Sequence, residues 1–150
     1  MQQPTQAVAA GLLAFVGMGV SVFLFVPSQT CRACEETAAV NALRAIDKAE
    51  AQYARKYPDL GFACSLHALG GGNVASPNPQ AAGFLKQELE VGRTAGYLVY
   101  IAERTQQGEK VTGYKVVARP VESSGLGFCS DQSGVTLYDP HGGDRCAELL

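Results

Sequence analysis

The chain has no tryptophan, only two histidines, and no charged side chain ahead of Arg32. The shortage of histidine removes several classes of function. With His67 and His141 alone there is no Ser, Cys or carboxylate pairing that reads as a nucleophilic triad. Zinc asks for four ligands, and no second Cys/His pair at metal spacing accompanies Cys31 and Cys34. Covalent haem attachment asks for a histidine after the second cysteine, where Glu35 stands instead. Neither a phosphate-binding loop nor a dinucleotide fingerprint occurs, and no small-molecule substrate suggests itself. Lys and Arg number 12 against 14 Asp and Glu, interspersed without a basic stripe, which argues against a nucleic-acid partner. No internal repeat or long low-complexity tract is present.

What is present begins with an uncharged apolar run from Ala7 to Val26, followed by Pro27. A helix of that length spans the ~30 Å hydrocarbon core of a bilayer. The six residues before it hold no Lys or Arg, the run exceeds a signal-peptide core, and no good cleavage site follows, so the expectation is an uncleaved anchor over residues 1–27. Ala10/Ala14 and Gly17/Ser21 are small pairs at i,i+4 that would let a partner helix approach closely. Arg32, Arg44 and Lys48 follow the run, which by positive charge favours a head on the cytoplasmic side.

The cysteines argue for the opposite side. Five in 150 residues are many for a reducing compartment. Cys129 and Cys146 bracket a polar, Gly-rich C-terminal segment, and a bridge between them would be worth about 3 kcal/mol in the loop-entropy account. Cys64 could replace either partner, so the connectivity stays open. Cys31-Arg32-Ala33-Cys34 has the spacing of a redox dithiol, without the βαβ context that usually carries one.

Residues 28–150 read as one small head. Thr30 is a candidate N-cap, Glu35 and Glu36 suit a helix start, and Val40, Leu43, Ile46 and Tyr53 share a face until Pro58 stops the helix. A second helix is expected from Asn78 and Pro79, with Phe84, Leu85 and Leu89 as its apolar face and Gly92 as its stop. Four β-rich runs follow, at 97–102, 114–121, 128–130 and 135–138, with hairpin-length connections. The expected fold class is α+β: a long N-terminal helix, part membrane span and part amphipathic, packed on a four-stranded antiparallel sheet.

That layout resembles the type IV pilins and pseudopilins. The stretch Ala42-Leu43-Arg44-Ala45-Ile46-Asp47-Lys48-Ala49-Glu50 with Tyr53 and Tyr57-Pro58 is similar to the helix end of a bacterial pilin-like branch. Gly61-Phe62, Leu69-Gly70-Gly71, Gly96-Tyr97 and Asp131-Gln132-Ser133-Gly134-Val135 are similar to its head. The likeness covers roughly residues 26–138. It implies a non-enzymatic structural or assembly subunit at the bacterial inner membrane, its head periplasmic or extracellular. Its partners would be other membrane-protein subunits and the lipid bilayer. The chain departs from the family at the front: no basic leader, no cleavage-point motif, and no carboxylate from Met1 to Thr30 where pilins carry the assembly glutamate. An accessory subunit of another membrane complex is therefore the alternative form.

Two further sites deserve weighing. Asp139 and Asp144, in Asp139-Pro140-His141-Gly142-Gly143-Asp144, could hold calcium as the C-terminal loop of some pseudopilins does, although the spacing is not that of an EF-hand and a solvated turn is the simpler reading. Cys31 and Cys34 would serve the alternative from a different class, a membrane-tethered thiol oxidoreductase. Glu35/Glu36 and Glu88/Glu90 read as surface charges, and His67 as a packed or surface residue.

Overall fold

The computed structural model describes residues 31–71, 75–122 and 124–150. Helix α1 (Arg32–Lys56) takes Cys31 as its N-cap residue and closes on Tyr57, whose amide donates to the Tyr53 carbonyl before Pro58 ends the run. Two four-residue helices follow, α2 (Leu66–Leu69) and α3 (Gln87–Glu90). The rest is a meander: β1 (Arg93–Thr94), β2 (Tyr97–Gln107), β3 (Lys110–Pro120), β4 (Gly127–Asp131), β5 (Leu137–Asp139) and β6 (Glu148–Leu149). All neighbours pair antiparallel, in the order of the chain.

α1 lies on one face of this sheet. Its buried stripe, including Val40, Leu43, Ile46 and Tyr53, meets Val99 from β2, Tyr114, Val116 and Ala118 from β3, and Phe128 from β4. The period of 3.6 on the helix and of 2 on β3 put these residues face to face. Val117 points to the opposite face, in register with Tyr100 and Cys129, and is equally buried. The loop after α1 closes one end of the sheet: the amides of Val111 and Phe62 exchange bonds with the carbonyls of Leu60 and Val111, at 2.9 and 3.0 Å. Gly61 makes that approach possible, because a Cβ there would lie 2.0 Å from the Val111 carbonyl oxygen, at a φ of +76°.

The sheet has six strands, not four. The four expected strands correspond to β2–β5, and the two edges, β1 and β6, hold two residues each, too short for any alternation to register. The membrane half of the expected helix is also corrected: among the described residues no helix is long and apolar enough to cross a membrane. α1 cannot serve, since it carries charges along its length and gives its apolar stripe to the sheet. The apolar run of residues 7–26, with Ala10, Ala14, Gly17 and Ser21, and the N-cap expectation at Thr30 lie outside the described residues.

The second helix shrinks to α3. Asn78 caps a turn instead, its side-chain oxygen accepting from the Gln80 amide at 2.9 Å. The amides of Ala82, Phe84 and Leu85 then bond to the carbonyls of Ala68 and Leu69, and Gly83 sits at a φ of +74°, so the segment is pinned along α2 and cannot coil until Gln87.

Candidate functional site

One flank of α1, at the margin of its buried stripe, presents a groove. Ala38, Ala42, Ala45 and Ala49 recur at i, i+4, i+7 and i+11, and Phe84 and Leu89 form the opposite wall around a volume of about 520 Å³. Small side chains at this spacing leave a shallow channel along the helix axis. Lys48 and Glu88 stand on its lining with opposite charge.

At the start of α1, Cys31 and Cys34 occupy one turn. The amides of Cys34 and Glu35 donate to the Cys31 carbonyl at 2.8 and 3.0 Å, and both thiols are exposed and free. The neighbouring Cys34 thiol first, then the first-turn amides of Cys34 and Ala33, draw the Cys31 thiol below its ordinary range. The same thiol contact pushes Cys34 up. Cys64 is a third free, exposed cysteine, on the loop after α1, where its carbonyl accepts from Arg104.

Cys129 and Cys146 are the bonded pair, with Cα atoms 5.9 Å apart. The bridge ties the C-terminal segment to β4. Inside the loop it closes, Asp139 accepts from the His141 amide at 2.8 Å through one oxygen and from the Arg145 amide at 3.1 Å through the other. These amides hold its carboxyl below the usual range. Both oxygens that would have faced calcium are thus turned to the backbone, while Asp144 is exposed. Among the described residues no three His, Cys, Asp or Glu side chains gather as a metal group.

Two acids inside the helix–sheet interface escaped the sequence reading. Asp47 accepts from the hydroxyls of Tyr114 and Ser130, each at 3.0 Å, and burial pushes it up against those bonds. Glu50 is fully buried; one oxygen accepts from the Ala63 amide at 2.7 Å, and the other has no partner among the described residues. Burial raises it to about 7, and the charge of Asp47 adds to the rise. The signal was available: Glu50 follows Ile46 by four residues and precedes Tyr53 by three, so it shares their buried face. His67 is exposed as expected and meets Glu90, whose other oxygen accepts from the Gly71 amide at 2.9 Å. Glu90 is therefore a tie between α3 and the end of α2, not a free surface charge; the Gly71 amide first, then His67, lower its pKa.

Comparison of the chain with protein-family models, with curated proteins and with solved structures finds no match.

Proposed function

We propose that this domain is an assembly module that works through protein–protein contacts, a pilin-like head reused as a structural subunit. The observation that carries the reading is the alanine-lined groove on α1. Its occupant is an amphipathic helix of a partner subunit: Ala38 and Ala45, open above the buried Ala42 and Ala49, let an apolar stripe approach closely, and Lys48 with Glu88 fit acidic and basic flanks. The order of a long helix followed by an antiparallel meander supports the pilin-like reading, and the Cys129–Cys146 bond supports a place in an oxidising compartment such as the periplasm.

The test is a photo-crosslinking amino acid placed at Ala45, which is exposed within the groove, in the full chain in cells. The expected product is a crosslink that maps to the apolar face of a partner helix and disappears when Ala38 is changed to Glu. A yield at Ala45 no higher than at Gln106, on the exposed end of β2, would overturn the reading.

A further inference from the structure

We propose that Cys31 and Cys34 form a thiol–disulfide exchange site on the first turn of α1, with Cys31 as the attacking sulfur and Cys34 as the resolving one. Three observations meet there. Both thiols are free and exposed, although the same chain holds a formed disulfide elsewhere. The hydrogen bond from the Cys34 amide to the Cys31 carbonyl folds the two residues into one turn, where helical geometry places Cα atoms three residues apart about 5 Å from one another. That separation lies inside the range a disulfide accepts. The turn also treats the two sulfurs unequally: the neighbouring thiol and the first-turn amides draw Cys31 below its ordinary range and Cys34 is pushed up, which favours thiolate at Cys31. Glu35 opposes the thiolate by its charge, and the neighbouring groups outweigh it.

A cleft lies beside the turn. Arg32 and Glu35, the residues between and beside the two cysteines, form a wall of a cleft of about 370 Å³ whose floor includes Gly96, Tyr97 and Pro120. The ligand class is a disulfide, in a protein segment or in a small molecule.

The chemistry balances within the named groups. The Cys31 thiolate attacks one sulfur of the partner disulfide; that S–S bond breaks, a mixed disulfide forms, and the departing sulfur leaves as a thiolate that takes up a proton. Cys34 then loses its proton to water and attacks the Cys31 sulfur. The Cys31–Cys34 disulfide forms and the partner leaves with its second sulfur as a thiol. The dithiol has given up two electrons and two protons, and the partner disulfide has gained them.

The test uses the intact full-length chain and oxidised glutathione as the probe. Brief treatment with iodoacetamide at pH 7, read by peptide mass spectrometry, is expected to modify Cys31 at least tenfold faster than Cys64, the exposed cysteine without a neighbouring thiol. Oxidised glutathione is expected to close the Cys31–Cys34 bond and release two reduced glutathiones. Cys34→Ser should trap one glutathione on Cys31, and Cys31→Ser should abolish the fast reaction. Equal rates at Cys31 and Cys64 would overturn the assignment. So would a glutathione adduct that persists on Cys31 while Cys34 is intact, or stoichiometric zinc held by the reduced pair.

Discussion

Glu50 and Asp139 are both buried acids, one on α1 under the sheet and one at the end of β5, and the fold treats them in opposite ways. Glu50 receives a single backbone amide and retains an oxygen without a partner among the described residues. Its burial is therefore uncompensated, and the proton is held to about pH 7. Asp139 receives two amides from a loop that folds back around it, and its pKa falls. The difference teaches that two things set the ionisation of these acids: how deeply the carboxyl is desolvated and how many donors the backbone brings. The C-terminal loop brings two to Asp139, whereas the loop after α1 brings one to Glu50.

The largest expected effect tests whether the crosslink holds the Asp139 loop in place. Replacing Cys129 and Cys146 together by Ser should lower stability by about 3 kcal/mol, read from the urea midpoint. If the loop depends on the bridge, Asp139 should lose its amides as well, and the two acids would no longer differ in the direction of their shifts.

Next in size is Glu50→Gln. A raised folded pKa means that the native state keeps its proton while the unfolded chain, with the ordinary value of 4.5, gives it up. Stability from this group is complete below about pH 4.5 and is lost as pH rises to about 7, on the order of 3 kcal/mol in all. The variant should match the parent near pH 4 and exceed it at pH 8 by about that amount in denaturant titrations. Equal stabilities at pH 8 would mean that the carboxylate finds a partner or water when it ionises.

The smallest concerns Asp139→Asn. An amide side chain offers one accepting oxygen, so either His141 or Arg145 loses its bond. The variant should be less stable at pH 7. The parent's advantage should fade as pH drops through the folded pKa of Asp139, because a depressed carboxylate stabilises only while ionised. The slope of stability against pH in acid is the measurement, and an unchanged slope would remove Asp139 from the comparison.

Much of this architecture could be read from local pattern. The apolar stripe of α1 and its stop at Pro58 are set by spacing and by proline chemistry, and the runs that became β2–β5 have the β-branched and aromatic content that suits a sheet. The edges were illegible because two residues carry no period; β1 and β6 exist only because a neighbouring strand offers bonds. The segment after Asn78 misled for a related reason. Its residues have helical spacing, yet the carbonyls of Ala68 and Leu69 claim its amides first, a tertiary preference no local pattern records. The bonded cysteines were among the three candidates by their position, and geometry chose between them. The alanine groove was hidden since half its wall comes from Phe84 and Leu89, far along the chain from α1. The ionisation of Glu50 needed the distance to Ala63, which periodicity cannot supply.

The order of the sheet has one more consequence. Every strand neighbours the one before it in the chain, so each pairing needs only a short loop to close. The β2–β3 hairpin, with eleven residues on each arm and a turn at Gly108, can zip from its tip without waiting for distant segments. The long-range steps are the seating of α1, which meets strands more than forty residues further on, and the pairing of the loop after it with Val111. The entropy of search is thus concentrated in these docking events, which also bury Asp47 and Glu50.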